Sequence, residues 1–227
     1  MMLHVPAVLS PEEVETCRRD LDAADWVDGN LTSGAQAALA KRNLQLAQDA
    51  PAAVRVGRAI VQALRANPLF MSAALPQTIL PPLFNRYGEG HVFHDHIDNA
   101  VRWNPATGGV LRTDLSATLF LSKPGDYEGG ELTVEDTYGS HIVKLEAGDL
   151  ILYPASSVHR VTPITRGERV ASFFWIQSLI RDDGRRRLLF DMDLAIQQVA
   201  QAMGADAPAA VSLTGTYHNL LRAWAET

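Results

Sequence analysis

The stretch FHDHIDNAV, Phe93 to Val101, puts two histidines and two aspartates within five consecutive positions. Imidazole and carboxylate are the metal ligands left to a chain whose one cysteine, Cys17, rules out a thiolate cage. If residues 92–98 form a strand, alternate side chains share a face, so His94, His96 and Asp98 point one way and Asp95 and Ile97 the other. Three such positions span roughly 13 Å, too far for one ion, so only an adjacent pair can chelate: His94 with His96, or His96 with Asp98. His96 belongs to both pairs. A third ligand must come from elsewhere, and His159, after GDLILYP and a polar turn at 155–158, is the histidine best placed to aim into a barrel mouth. His4, His91, His141 and His218 read as solvent-facing or hydrogen-bonded surface residues. Two histidines and a carboxylate leave coordination positions open, which suits a non-haem Fe(II) oxygenase.

Beyond His159 lies Arg169, followed by VASFFWIQ, whose alternation places Arg169, Ala171, Phe173 and Trp175 on one face. A guanidinium among aromatic neighbours inside a barrel is costly unless an anion meets it, and a carboxylate does so bidentately. An internal salt bridge is the competing explanation.

These residues need a scaffold. Ser10, Pro11 and Glu13 predict a capped helix with Val14, Cys17, Leu21 and Ala24 along its buried stripe, making Cys17 an inert core thiol. A second amphipathic helix is expected over 52–64. The first seventy-five residues thus read as helical, with a polar loop at Gly29 to Gly34 between. From Leu80 the texture changes to short apolar runs bounded by Gly, Pro and Asp. Eight strands are expected, at 82–87, 92–98, 116–122, 131–135, 141–145, 150–153, 159–163 and 170–177. No long helical crossover separates them, which predicts a mainly β jelly roll rather than a parallel sheet. Helical patterning returns beyond Arg181, including 213–224. The expected organisation is helical support over 1–78, a jelly-roll core over 79–179 and a helical extension over 180–227.

With 227 residues, 47% of them hydrophobic, the chain can enclose a sizeable core. A net charge of -6 lacks the basic excess that nucleic acid demands. The basic cluster Arg185 to Arg187 reads as a solvated helix face. No run is long enough to span a bilayer, and the N-terminus has no basic region before an apolar one, so a cytoplasmic location is expected.

Taken together, the motifs resemble those of the PKHD-type hydroxylases, Fe(II)- and 2-oxoglutarate-dependent dioxygenases related to prolyl 4-hydroxylase. Tyr87, Gly90, Phe93, His96 and Asp98 match the spacing YxxGxxFxxHxD, and GDYEGGELTVED, the segment from His141 to Ser178 and FDMD add further blocks. The resemblance covers most of the chain. It implies a double-stranded β-helix with N-terminal helices and a C-terminal helical extension. It implies that His96, Asp98 and His159 hold Fe(II) and that Arg169 binds the distal carboxylate of 2-oxoglutarate. The implied reaction couples decarboxylation of 2-oxoglutarate to hydroxylation of a second substrate by O2, with L-ascorbate (vitamin C) keeping the iron reduced. The family's association with iron-uptake genes brings in a substrate tied to iron homeostasis, whether a small molecule, a peptide or a siderophore-related compound. Tyr87 is a candidate for the keto acid, and Asn99, Arg102 and the loop Gly125 to Gly130 are candidates for the hydroxylated substrate.

Two other readings compete. A cupin-type oxygenase would use His94, His96 and His159, but it leaves Asp98 and Arg169 unexplained. A non-catalytic jelly-roll module would bind a small molecule without turnover. The apolar C-terminal helices could pack on their own core or on a second copy in a homo-oligomer.

Overall fold

The computed structural model describes residues 1–32, 41–104 and 107–226. Ser10 caps helix α1 (Pro11–Asp22): its hydroxyl accepts from the Glu13 amide while the Glu13 carboxylate accepts from the Ser10 amide. Val14, Cys17 and Leu21 are its buried residues. Burial pushes the Cys17 thiol up to about 11, which keeps it protonated and inert. Helix α2 (Pro51–Ala66) buries Val56, Ile60 and Leu64, each side chain contributing roughly 1.5–3 kcal/mol. Helix α3 (Pro68–Ala74) follows at once, because Asn67 caps it and Pro68 occupies its first position.

The first seventy-five residues are not wholly helical, which corrects the expectation above. Among them are β1 (Leu3–Val5), β2 (Trp26–Asp28), β3 (Lys41–Arg42) and β4 (Leu44–Leu46). Strands of two or three residues are too short to display a period-two pattern, so their apolar residues are absorbed into neighbouring helical ones. The polar loop expected at Gly29 to Gly34 is a 3-10 turn over Gly29–Thr32, and its remainder falls outside the described residues.

Beyond β5 (Pro76–Ile79), each of the eight expected strands forms: β6 (Leu83–Tyr87), β7 (Val92–His96), β10 (Leu115–Phe120), β12 (Leu132–Asp136), β13 (Gly139–Val143), β14 (Leu150–Pro154), β15 (His159–Val161) and β17 (Arg169–Ser178). Two two-stranded sheets were not expected: the hairpin of β8 (Val101–Asn104) with β9 (Gly109–Arg112), and β11 (Tyr127–Gly129) with the sequence-distant β16 (Ile164–Gly167). One large sheet runs β1-β14-β10-β17-β6-β4-β2 with β5 beside β17, and a second runs β13-β12-β15-β7-β3. Every pairing is antiparallel, as a jelly roll requires.

Alternation divides the large sheet cleanly. Leu115, Ala117 and Leu119 of β10, Leu150 and Leu152 of β14, and Phe174 and Ile176 of β17 pack in one core with the buried residues of α1, α2 and α3. Phe120, Ile151 and Tyr153 belong instead to a core shared with Leu132, Val134 and Val161 of the second sheet. Arg169, Phe173 and Trp175, the alternate residues of β17, lie outside that helix-side core.

Helices α4 (Asp183–Met203) and α5 (Pro208–Trp224) pack through Leu189, Tyr217, Leu221 and Trp224 onto Leu75 and Ile180. The basic cluster is not a uniformly solvated face. Arg186 is buried and donates to the Ile180 carbonyl at 2.8 Å and to Asp183 at 2.5 Å. Consecutive helical residues project about 100° apart, so one of three adjacent arginines must turn inward. Among the described residues, no helix is long and apolar enough to cross a membrane.

Candidate active site

His96 closes β7, His159 opens β15, and the two are directly paired across the second sheet. Their ring centroids lie 4.1 Å apart. Asp98 sits two residues past the strand end, and one ligand atom from each of His96, Asp98 and His159 lies within 4.8 Å of the others. These three form the described cluster that could hold a metal ion. Each partner is oriented from outside. The Nδ1 of His96 donates to the His94 carbonyl at 2.8 Å and that of His159 to the Ser157 carbonyl at 3.0 Å. Since a carbonyl only accepts, Nδ1 carries the hydrogen in both rings, which makes Nε2 the nitrogen available to a metal in the neutral form. The Nε2 of His159 is 3.7 Å from Asp98. Ser116, from β10 of the opposite sheet, donates to the Asp98 carboxylate at 2.6 Å. Burial, reinforced by the neighbouring His159, pushes His96 down to about 4, which holds its ring in the neutral, metal-binding form.

The expectation that His94 shares a face with His96 is corrected. His159 pairs with His96 and Val161 with Phe93, so two residues of β15 span three steps of β7 and the register shifts. Such a bulge re-aims the side chains beyond it. Phe93, not His94, stacks on the His96 ring, with centroids 3.5 Å apart. His94 is exposed and supplies only its carbonyl, so the three-histidine set loses its first member. Asp95 pairs with Arg160 at 3.1 Å on the exposed surface. His4 and His141 pair with Asp149 and Asp136, His91 accepts from the Gly88 amide, and His218 is exposed.

A cavity of about 730 Å³ opens beside the cluster, lined by residues of both sheets. Arg169 lines it, 1% exposed, with the Tyr127 hydroxyl nearby and no carboxylate paired with its guanidinium among the described residues. The rings of Phe120 and Tyr87 flank it at 5.3 and 5.6 Å. No internal salt bridge satisfies this arginine among the described residues, which removes the competing explanation. The Tyr87 hydroxyl is likewise buried, and burial, partly offset by Arg169 and by the neighbouring Asn43 amide, pushes it up to about 12. A buried guanidinium beside a phenol is an arrangement that a single anion can satisfy. Phe173 and Trp175 line the same cavity from β17, and Asn99 and Arg102 from the segment after Asp98.

The residues of the loop at 125–130 are not among those that line this cavity. A side chain at Gly129 would meet the Pro163 carbonyl at 1.9 Å, so its glycine lets β11 press against β16. Sequence reasoning missed Ser116, Lys41, Asn43 and Asn85, all of which line the cavity. Ser116 and Asn85 were discoverable from the alternation of β10 and β6. Lys41 and Asn43 gave no such signal, because Lys41 begins a two-residue strand and Asn43 follows it directly.

Comparison with known proteins agrees with this geometry. Residues 82–177 match the model of the 2OG-Fe(II) oxygenase superfamily, and residues 183–226 that of the PKHD-type hydroxylase C-terminal domain. A PKHD-type hydroxylase of a Caulobacter species is 67% identical over 226 residues, covering 100% of both chains. Another from Phenylobacterium zucineum is 64% identical with the same coverage. Among solved structures, a Pseudomonas putida prolyl-4-hydroxylase superposes with TM-score 0.52 at 22% identity, covering 78% of this chain and 92% of its own. HygX of Streptomyces hygroscopicus, solved with nickel, 2-oxoglutarate and hygromycin B, gives TM-score 0.52 at 19% identity over 76% of this chain and 81% of its own. These two likenesses concern the fold.

Proposed function

Because the chain belongs to the PKHD-type hydroxylases of the 2OG-Fe(II) oxygenase superfamily, we propose that His96, Asp98 and His159 hold Fe(II) and that Arg169 and Tyr87 hold 2-oxoglutarate. The observation that carries this assignment is one cavity lined both by the two-histidine, one-carboxylate cluster and by a buried arginine that no carboxylate pairs with among the described residues. The donor set fits iron: two imidazoles and a carboxylate supply three ligands and leave further coordination positions open. Bound there, Fe(II) supplies the O2 chemistry that couples decarboxylation of the keto acid to hydroxylation.

The protein's own part is positioning. Ser116 and the His94 and Ser157 carbonyls fix the three ligands before metal arrives, so little reorganisation is needed on binding. Arg169 takes the distal carboxylate through two parallel donors, which sets the keto acid's direction toward the cluster. Tyr87 adds a third hydrogen bond. Phe173 and Trp175, edge to face at 5.6 Å, wall the cavity with apolar surface that keeps bulk water from the reacting atoms. In the same reading 79–179 carries catalysis and 1–78 and 180–227 support it. Ascorbate as supporting reductant, a substrate connected with iron uptake and a cytoplasmic location complete the proposal through the family's associations.

The test is anaerobic titration of Fe(II)-loaded protein with 2-oxoglutarate, followed by admission of O2. A visible charge-transfer band on 2-oxoglutarate addition and oxygen-dependent release of succinate are expected. Iron that binds without responding to the keto acid would refute the assignment.

A further inference from the structure

The cavity is larger than a five-carbon keto acid requires and lies in the range that encloses a drug-sized ligand. Part of its wall is polar in a way that the proposed metal and cosubstrate ligands do not use. Asn43 and Asn85 are 4% and 8% exposed; the Asn85 amide oxygen has no hydrogen-bond partner, and the Asn43 amide lies beside the Tyr87 hydroxyl and against Gly29. The pairing of β4 with β6 sets Gln45 directly opposite Asn85, so this wall is a band of amides beside Tyr87. Folded proteins leave few buried polar groups unsatisfied, because each costs much of its desolvation free energy. One on a cavity wall points to a ligand that satisfies it.

Arg102 stands at the same cavity. It lies on β8, and its guanidinium is 3.3 Å from the centroid of the Trp175 ring. The Arg102 Nε and the indole Nε1 are both buried without a partner. Lys41 is close enough that the two cations repel, whereas the nearby acid, Asp98, is engaged by Ser116 and by the proposed metal. A planar guanidinium held flat on an indole presents its outer donors in a fixed fork, the geometry that meets an oxyanion.

Resting on the oxygenase reading above, we infer that Asn43, Asn85, Arg102 and Trp175 form the subsite for the hydroxylated substrate and select a polar molecule with an oxyanion beside amide or hydroxyl groups. Arg102 receives the oxyanion, and Asn43 and Asn85 receive the neutral hydrogen-bonding groups. The apolar faces of Trp175 and Phe173 accommodate the carbon to be oxidised.

The test is calorimetric titration of the full chain, loaded with redox-inert Zn(II) and saturated with 2-oxoglutarate, using three probes: N-acetylserine, N-acetylserine amide and glycerol 3-phosphate. At least one anionic probe should bind about tenfold more tightly than the amide, and which one does so distinguishes carboxylate from phosphate. Arg102→Gln should abolish that preference, Arg102→Lys should restore part of it, and Asn85→Leu should weaken the probes alike. In all three variants 2-oxoglutarate affinity should stay at the wild-type level, a result that a collapsed cavity would not give. Equal binding of anion and amide, no binding by any probe, or a preference that survives Arg102→Gln overturns the inference. Failure of wild-type Zn(II) protein to bind 2-oxoglutarate sinks the oxygenase reading beneath it.

Discussion

Arg169 and Arg186 are each 1% exposed, yet their surroundings are opposite. Arg186 anchors α4: one nitrogen donates to the Ile180 carbonyl, another to Asp183, and only Nε is left over. Arg169 faces the cavity with no carboxylate paired with its guanidinium. Burial of a guanidinium costs several kcal/mol unless charge and hydrogen bonds compensate. In the helical extension the compensation is internal, so the arginine serves the fold. In the jelly roll no such internal partner is found among the described residues, as the proposed role in binding a carboxylate requires. The same distinction separates the satisfied surface pair Asp95–Arg160 from Asp98, whose carboxylate turns toward two imidazoles.

Substitutions can break this contrast, and the largest effect belongs to the metal cluster. Asp98→Ala should reduce Fe(II) affinity by more than the roughly 10–100-fold that outer-shell partners commonly carry, with loss of succinate formation; retained iron by elemental analysis would count against the ligand set. Arg169→Ala comes next. It should weaken 2-oxoglutarate binding about 100-fold or more, leave iron content unchanged, and leave the ligand-free melting temperature at or above the wild-type value. A fall in that temperature would mean that Arg169 serves the fold after all.

Arg186→Ala should do the converse. Losing the donors to Ile180 and Asp183 should cost about 1–3 kcal/mol, which for a chain of this size lowers Tm by roughly 2–4 °C per kcal/mol. Turnover per folded molecule and 2-oxoglutarate affinity should be unchanged, and a scan with saturating metal and keto acid should raise Tm as much as in the wild type. Asp95→Ala should have the smallest effect. An exposed pair contributes about 0–1 kcal/mol, so iron content and succinate formation should match the wild type. Equal damage from Asp95→Ala and Asp98→Ala would erase the distinction between the two carboxylates.

Much of the architecture was legible because long apolar periodicities carry their own geometry. The capping box at Ser10 and Glu13 and the alternation along β10, β14 and β17 specify elements whose faces are decided by local spacing. The N-terminal strands were not legible, since two or three residues define no period and their strand character comes from the partners they join. The β8–β9 hairpin was missed for a related reason: Trp103 and Val110 lie on its exposed face at 63% and 70%, so no buried alternation marks it.

At the site, the sequence by itself limited the candidate ligand chemistry: imidazole and carboxylate were the residue types available, a lone Cys17 excluded a thiolate cage, His96 was common to both candidate pairs, and strand alternation put Arg169 on one face with Phe173 and Trp175. Only the tertiary structure decided the rest. The β7 bulge turned His94 outward and Phe93 onto His96, because register is set by pairing with β15 and not by the strand's own pattern. Pairing across sheets brought Ser116 to Asp98 and Asn43 and Asn85 to the cavity wall. Whether a buried arginine is paired depends on groups distant in sequence, and that is why Arg169 and Arg186 could not be told apart until the chain was folded.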